Sequence, residues 1–267
     1  MGNTITAAAG FMLASRNSFN SWLFLTALGG LALIVAAGCV LNNYMDRDAD
    51  KKMARTQNRA LAKGEVSVRS ALIYAIVLLI AGSCLTLFAN FLTWAIAFTG
   101  FILYVFFYGY LKYRTMYGTE IGSIAGAVPP VVGYTAVTNH LDTAALALFL
   151  IIALWQMPHF FAIALYRSRE YAAASIPVLP LVKGVVNTKI RMVFYTVAFI
   201  GSTCFLTFMG CTGYLYLGAS ATLGLTWLVL CIRGFKAVSN EKWAYQMFRF
   251  SLVVVTVLCF MISLDRN

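Results

Sequence analysis

Eight apolar stretches, each long enough to cross a bilayer, constrain this 267-residue chain more than any other feature. A spanning helix needs about 20 predominantly apolar residues. A ninth stretch, 4–14, is half that length, so it is either the end of a ninth helix or the result of a chain start assigned too late, and we favour a truncated first helix. We therefore predict a single all-α transmembrane domain over 1–267, with full spans near 21–45, 70–89, 92–111, 118–138, 142–165, 190–210, 214–233 and 246–264.

The composition supports a lipid environment and excludes a nucleic-acid binder. Charged residues make up 11% of the chain and hydrophobic residues 61%, whereas soluble domains carry about 25% charged residues. The net charge of +11 would suit nucleic acid only if the basic residues lay on a water-exposed fold. Almost none of this chain can be exposed to water, so the charge has another explanation.

That explanation is orientation, because basic loops stay in the cytoplasm. The alternate segments 47–69, 112–114, 166–191 and 233–249 hold 18 of the 20 lysines and arginines, and only Arg16 and Arg266 lie opposite. The connections between the other helices are short and nearly uncharged. We predict a multi-pass protein of the bacterial cytoplasmic (inner) membrane with its N-terminus inside, its C-terminus outside and its active site facing the cytoplasm.

The most informative polar segment continues the second predicted helix and contains Asn42, Asp46 and Asp50. Their i, i+4, i+8 spacing drifts by only about 40° per step on a helix, so they form one stripe roughly 12 Å long. Carboxylates near hydrocarbon are costly unless they are paired or bound to cations. Oxygen ligands on one face suit Mg²⁺, which is usually shared between one or two carboxylates and a substrate phosphate. The alternative is a solvated loop in which acids and bases neutralise each other.

A calcium loop is a second alternative for this segment, because Asp46, Asp48 and Asp50 match the first three ligands of such a loop. The match fails at the sixth position, where Lys51 replaces the required glycine. It fails again at the twelfth, where Gln57 replaces a bidentate glutamate. A calcium loop is therefore excluded.

Basic residues follow the acidic stripe closely. Arginine binds phosphate through two hydrogen bonds and lysine as a point charge, so acids that hold a metal beside such bases can clamp a diphosphate. For Lys51, Lys52 and Arg69, the simpler explanation that they follow the positive-inside rule or contact anionic lipid stays open. The candidates for diphosphate binding are Arg55, Arg59, Lys63, Lys112 and Arg167.

A second polar cluster begins at Trp155 and runs to Glu170. His159, one of two histidines, lies inside a predicted span about three turns before Glu170. It is either a ligand or a hydrogen-bonded brace near the bend that we expect at Pro158, and both readings stay open. The pair 129–130 is expected to bend its helix in the same way, because proline frees a backbone carbonyl.

These segments resemble the UbiA-type intramembrane prenyltransferases. The pattern of Asn42, Asp46 and Asp50 is similar to the first aspartate motif of that family. Further segments together resemble the haem-farnesylating branch of the family: Arg55-Thr56-x-Asn58-Arg59, Tyr117-Gly118-Thr119-x-Ile121-Gly122, Gly126-Ala127-x-Pro129-Pro130, Trp155-Gln156-Met157-Pro158-His159 and Tyr171-x-x-Ala174-x-Ile176-Pro177-x-Leu179-Pro180.

The resemblance implies a UbiA-type bundle of nine transmembrane helices whose cavity binds Mg²⁺ and farnesyl diphosphate. It implies transfer of the farnesyl group to a vinyl carbon of haem B (protohaem IX), with water completing the side chain of haem O, a precursor of terminal-oxidase cofactors. The roles it implies are catalysis by Asp46, Asp50 and Glu170, metal binding by Asn42, Asp46, Asp50 and Glu170, and contact with haem by His159 and Trp155.

This chain departs from the family pattern at several positions. The Lys-Pro pair usual at the start of the first helix is missing. Glu170 stands where relatives usually carry aspartate, Ala174 where quinone-type relatives carry a second aspartate, and Glu120 where an apolar residue is expected.

Two other functions are alternatives to farnesyl transfer to haem, and these residues disfavour both. A transferase acting on an aromatic quinone precursor is disfavoured by the single carboxylate at Glu170 and by the segment 155–159. A transporter would place its polar groups along a pathway near the bilayer midplane. Here they cluster at one face, which favours a one-sided reaction cavity.

Overall fold

The computed structural model describes residues 2–15 and 18–266, so Arg16 lies outside the described residues. Within them, eight helices are long and apolar enough to cross a membrane, and a shorter helix precedes them, as predicted. We number the elements α1 (Gly2–Ser15), α2 (Ser21–Asp50), α3 (Val68–Ala89), α4 (Phe91–Leu111), α5 (Gly118–Thr138), α6 (Thr143–Tyr166), α7 (Gly184–Phe208), α8 (Tyr214–Arg233) and α9 (Asn240–Leu264).

Two helices begin earlier than the sequence predicts, α7 at Gly184 instead of 190 and α9 at Asn240 instead of 246. The prediction required a mostly apolar stretch of about 20 residues, but a helix can continue beyond hydrocarbon because its backbone hydrogen bonds are internal. Lys189 shows why the charge is tolerated. Its ammonium group is buried and donates to the Gly234 carbonyl and to Asn240 Oδ1, both at 2.6 Å, which ties α7 to α8 and α9.

The connections at the polar end contain short helices. Residues Ala60–Lys63 form one turn after α2 and end at Gly64, whose φ of 78° is the left-handed conformation that glycine tolerates best. Ser168–Ala173 and Leu179–Val182 lie between α6 and α7. The segment predicted as a loop at 166–191 is therefore largely helical.

The prolines act differently from one another. Pro129 and Pro130 lie in the first turn of Val128–Thr138, the second half of α5, which is separated from Gly118–Gly126 at Ala127. A missing amide costs no helical hydrogen bond in a first turn. Pro158, by contrast, lies inside α6, which runs without interruption from Thr143 to Tyr166.

Glycines allow the closest helix contacts. Gly30 of α2 and Gly82 of α3 face each other, and a Cβ added to Gly82 would lie 2.7 Å from the Gly30 carbonyl oxygen. A Cβ on Gly10 would collide with the Pro130 carbonyl, so α1 packs directly on the second half of α5.

Contacts between helix ends define the two ends of the bundle. Arg266 donates to the Met12 carbonyl at 2.7 Å, and Gly213 N donates to the Asp265 carbonyl at 2.8 Å. These hydrogen bonds bring the end of α1, the α7–α8 connection and the C-terminal residues together at one end of the bundle. At the opposite end, Lys112 after α4 contacts Asp46 of α2. The four basic segments share that second end, in agreement with their predicted alternation.

Candidate active site

A cavity of about 380 Å³ opens among α2, α4, α5, α6 and the segment 171–178. Its lining along α2 changes from apolar to polar, with Leu31, Ile34 and Gly38 in the bilayer and Asp46 and Asp50 at the basic end. The 15 residues from Leu31 to Asp46 correspond to about 22 Å of helix. The cavity is therefore long and narrow, with a charged mouth.

Asp46 is the most heavily bonded residue of the charged mouth. Its carboxylate accepts hydrogen bonds from Lys112 Nζ at 2.7 Å, from Tyr113 Oη at 2.6 Å and from Asn42 Nδ2 at 2.8 Å. Lys112 also donates to Asn42 Oδ1 at 2.7 Å. Burial lowers the pKa of Lys112, and the negative charge of Asp46 opposes that effect. Burial, reinforced by the hydrogen bond to Asp46, raises the pKa of Tyr113.

Asp50 is held by the segment that follows it. Arg59 donates to Asp50 Oδ2 at 2.8 Å, and the buried Thr56 hydroxyl donates to the Asp50 carbonyl at 3.2 Å. The side chain of Asp50 is only 2% exposed, so its charge depends on this partner. The predicted acidic stripe therefore exists, and it faces the cavity as expected.

Arg55 differs from the other bases of the cavity because its guanidinium makes no hydrogen bond to the described residues, yet it lines the cavity. Its charge acts on Tyr171, another lining residue. Burial raises the pKa of Tyr171, and the charges of Arg55 and Arg167 oppose that rise. Arg55 is thus a cation available to an incoming anion.

Three of the residues predicted to bind metal or diphosphate lie outside the cavity lining. Lys63 pairs with Glu65 at 3.6 Å on the surface. Arg167 donates to Glu170 Oε1 at 2.8 Å and to the Tyr166 hydroxyl at 2.6 Å. Glu170 Oε2 is buried and has no hydrogen-bond partner among the described residues.

His159 and Trp155 lie on the face of α6 that packs against α9. The rings stack with centroids 4.6 Å apart, and Trp155 Nε1 donates to the Ser251 carbonyl at 2.9 Å. Ser251 Oγ donates to the Phe248 carbonyl at 2.6 Å and lies 2.6 Å from His159 Nδ1. With the serine proton donated to Phe248, the hydrogen-bond network assigns the proton of a neutral imidazole to Nδ1 and the lone pair to Nε2.

The cavity also contains residues to which the sequence analysis assigned no role in the site. Tyr104, Tyr108 and Tyr113 line one wall, and Gln156, only 5% exposed, lies at the level of the bilayer. With 14 tyrosines in the chain, tyrosine alone carries little signal. The spacing of Tyr104, Tyr108 and Lys112 at i, i+4, i+8 repeats the spacing of the acidic stripe and could have identified them.

The donor set fits Mg²⁺ shared with a substrate, and not a protein-only metal cage. No group of three His, Cys, Asp or Glu side chains suited to a metal occurs in the part of the chain that the structure describes. Two carboxylates and the Asn42 amide do line one cavity. Mg²⁺ commonly takes one or two carboxylates, several waters and phosphate oxygens.

A helical membrane bundle with carboxylates and cations at the mouth of a long apolar cavity is the architecture of an intramembrane enzyme for substrates with a charged head and a hydrocarbon chain. The sequence profile of the UbiA prenyltransferase family matches residues 3–253. The chain therefore belongs to the UbiA prenyltransferase family.

Curated relatives cover almost the whole chain. The chain is 51% identical over 266 residues to the protoheme IX farnesyltransferase of Protochlamydia amoebophila. The alignment covers 99% of this chain and 94% of that protein. It is 48% identical to the protoheme IX farnesyltransferase of Yersinia pseudotuberculosis (100% and 91% covered) and 49% identical to that of Cronobacter sakazakii (99% and 90%).

Solved structures agree on the fold. A digeranylgeranylglyceryl phosphate synthase superposes with a TM-score of 0.82 at 18% identity and covers 98% of this chain and 92% of its own. A UbiA homologue from Archaeoglobus fulgidus bound to GPP and Mg²⁺ gives a TM-score of 0.69 at 17% identity, covering 98% and 95%. At these identities the likeness establishes the architecture alone.

Proposed function

We propose that this chain transfers the farnesyl group of farnesyl diphosphate to a vinyl group of haem B in a Mg²⁺-dependent reaction, and so supplies haem O for terminal oxidases. The observation that carries the proposal is the cavity, about 22 Å long, which joins two carboxylates and an arginine that has no hydrogen-bonded partner among the described residues to an apolar slot. The high identity to proteins named for this reaction supports the choice of acceptor.

The cations of the mouth bind the diphosphate. Arg55 has no hydrogen-bonded partner among the described residues and can reach phosphate directly. Lys112 and Arg59 neutralise Asp46 and Asp50 in the free enzyme, and they can turn to phosphate oxygens when those carboxylates take a metal. Mg²⁺ held by Asp46 and Asp50, with Asn42, would neutralise charge that develops on the leaving diphosphate.

The apolar part of the cavity holds the 15-carbon chain. Phe101, Val128 and Phe160 contribute hydrocarbon and aromatic surface there. Such walls exclude water from the allylic cation until the acceptor arrives.

Glu170 completes the metal and diphosphate side from the segment after α6. Its buried, unpartnered Oε2 supports this role, because an unpaired buried carboxylate oxygen is costly without a ligand. Arg167 positions Glu170 through their 2.8 Å ion pair and adds positive charge. Lys63 lies on the surface outside the cavity, paired with Glu65, and contributes to the positive electrostatic potential at the charged mouth.

His159 contacts the haem, through Nε2. The proton on Nδ1 is fixed by Ser251, and metal-bound histidines usually donate their other ring nitrogen to such a partner. Trp155, stacked on the imidazole, provides a flat aromatic surface beside it. The competing role for His159 is that of a brace between α6 and α9, and its contacts with Ser251 suit that role as well.

The protein lies in the bacterial inner membrane with the charged mouth facing the cytoplasm. This orientation follows from the basic residues at the same end as the mouth. It puts the N-terminus inside and the C-terminus outside. Tags in 47–69 and 166–191 should then be reached only from the cytoplasm, and an inside tag after Asn267 would contradict it.

The test is the pigment produced by membranes that carry this protein when haem B, farnesyl diphosphate and Mg²⁺ are supplied. We expect a haem whose mass increases by one farnesyl group and one hydroxyl group, and no product after chelation of Mg²⁺. Prenylation of an aromatic quinone precursor, with haem B left unchanged, would overturn the proposed acceptor.

A further inference from the structure

We propose that the side-chain amide of Gln156 holds the water molecule that completes the hydroxylated side chain of the product. The inference rests on the proposed farnesyl transfer to haem and adds to it the residue that delivers the third reactant. It follows from the position of this amide in the cavity, from its unused hydrogen bonds and from the helix break that it faces.

Gln156 faces the cavity from α6. Its spacing to Phe160 and Ala164 is i, i+4, i+8, which is one face of a helix, and all three residues line the cavity. Gln156 is the polar member of this stripe and is only 5% exposed. The lining residues Val128 and Pro129 of α5 are apolar as well. The amide therefore lies in a part of the cavity that otherwise suits hydrocarbon.

The hydrogen bonds of this amide are not used within the protein. A glutamine amide has two N–H donors and an acceptor oxygen. In Gln156 neither the oxygen nor the nitrogen is hydrogen-bonded to any of the described residues. Burying such a group without a partner is costly. Because the surrounding side chains are apolar, the partner has to come with the reactants, and water is the reactant that can both donate and accept.

The break in α5 adds a second polar group to this wall. A Cβ on Gly126 would collide with Gln156 Oε1 and lie 2.8 Å from Nε2, so the amide packs directly against the end of Gly118–Gly126. Pro130 has no N–H, so the Gly126 carbonyl lacks the donor that a continuous helix would provide four residues later. A buried water needs two to four polar partners. The amide and this carbonyl supply them from two helices.

The depth of the amide determines which carbon the water can reach. A Cβ on Gly118 would lie 3.1 Å from the Lys112 Cα, so α5 begins at the level of the charged mouth. Gly126 is eight residues farther along the helix, about 12 Å deeper. C1 of a chain whose diphosphate binds at Lys112 stays near the mouth, and the vinyl group that bonds to C1 extends from there toward Gln156. The water therefore meets the acceptor carbon and not C1.

The proposed haem contact lies close to the same amide. His159 follows Gln156 by three residues, and side chains with this spacing are neighbours on a helix, about 5–6 Å apart at Cβ. A haem in contact with His159 thus has part of its edge beside Gln156. The amide lies where the two proposed substrates meet.

The step balances with the reactants of the proposed function. The C1–O bond of farnesyl diphosphate breaks, and its electron pair leaves with the diphosphate. The π electrons of the vinyl group form the bond to C1, which leaves positive charge on the vinyl carbon attached to the porphyrin. The water oxygen bonds to that carbon, and one water proton passes to the released diphosphate. Without a placed water, the same cation loses a proton from the adjacent CH₂ group and becomes an alkene.

The ratio of these two products tests the role of Gln156. Gln156→Met keeps the length of the side chain and removes its hydrogen bonds. We expect the ratio of hydroxylated to dehydrated haem product, separated by mass, to fall by about 10-fold, the effect of a lost hydrogen bond. Total prenylated haem should change much less, because the bond to C1 forms before water reacts. Gln156→Asn, which keeps an amide, should still give mainly the hydroxylated product.

Gln246 provides the matched control. It lies on α9 and is exposed, so the same change to methionine removes an amide outside the cavity. Gln246→Met should leave both the product ratio and the total unchanged. Binding of the non-ionisable farnesyl thiodiphosphate checks that each variant remains folded.

Only hydroxylated product from Gln156→Met, at any rate, would overturn the inference, because packing alone would then explain the residue. Folded Gln156→Met protein that makes neither product would also overturn it, because the amide would then act before the bond to C1 forms. Wild-type protein that prenylates no haem would instead overturn the proposed function.

Discussion

The two polar motifs of this chain have similar residue types but different surroundings. The first, from Asn42 to Arg59, lines the cavity, and its carboxylates are held by cations that line the same space. The second, from Trp155 to Glu170, lines the cavity only through residues such as Gln156 and Phe160. Its predicted site residues make their contacts elsewhere, with α9 and within their own segment. The difference shows that sequence spacing identifies candidate site residues, whereas the helix face on which they lie determines which substrate they can contact.

On this comparison, we propose that the first motif binds metal and diphosphate and that the histidine of the second contacts haem. The predictions below separate the two motifs, beginning with the largest expected effect.

Asp46→Ala and Asp50→Ala should each lower kcat by at least about 10²- to 10³-fold, the typical loss when one element of transition-state charge stabilisation is removed. The measurement is haem O formation by membranes with equal amounts of folded protein. Asp48→Ala is the control, because that side chain is 72% exposed and contacts only neighbouring bases, Arg47 and Lys51. Equal losses in all three variants would contradict the division between cavity and surface.

Arg55→Gln should raise the KM for farnesyl diphosphate by about 10- to 100-fold, as expected for a lost charge-assisted hydrogen bond. Lys63→Gln should change it by less than about 3-fold, because an exposed pair such as Lys63 with Glu65 contributes little. Steady-state kinetics with haem B saturating gives both values. A larger effect at Lys63 than at Arg55 would show that the diphosphate binds outside the cavity.

His159→Ala should weaken haem binding and shift the absorption spectrum of bound haem, whereas Glu170→Ala should leave the spectrum alone and change the Mg²⁺ dependence. Ser251→Ala should lower haem affinity by up to about 10-fold, since it removes the partner that fixes the imidazole tautomer. Titration of haem into purified protein measures all three. An unchanged spectrum and affinity in the His159 variant would leave only the bracing role.

Gly126→Ala should give the smallest effect, a loss of haem O formation of several-fold. An added Cβ would collide with Gln156 Oε1, and this side chain must then move within the cavity. Gly201, where a Cβ meets no other atom, is the matched control. Equal activity of the Gly126 and Gly201 variants would show that the position of Gln156 does not matter for turnover.

Much of the architecture was predictable because lipid imposes a length and a polarity on every span. The acidic stripe was predictable for the same reason, since Asp46 and Asp50 lie where carboxylates are costly. The starts of α7 and α9 were not, because buried hydrogen bonds such as those of Lys189 let a helix carry charge beyond the apolar stretch.

Contacts between residues that are distant in the chain could not be predicted from the sequence either. The contact of Lys112 with Asp46 depends on how α4 meets α2, and the bond between His159 and Ser251 depends on how α6 meets α9. The positions of Tyr104 and Tyr108 in the cavity wall depend on a π-helix that leaves no composition signal in a run of aromatic and aliphatic residues. The periodicity of residues along one helix does not predict how that helix packs against another.

The central claim is that the diphosphate binds at the first motif with its chain directed into the bilayer. A structure of the protein with Mg²⁺ and farnesyl thiodiphosphate tests it most directly. The account predicts a diphosphate in contact with Arg55 and Lys112, a metal on Asp46 and Asp50, and a farnesyl chain that passes Tyr104 toward Phe101. A diphosphate bound at Arg167, with the cavity lined by Leu31 and Phe101 left empty, would contradict it.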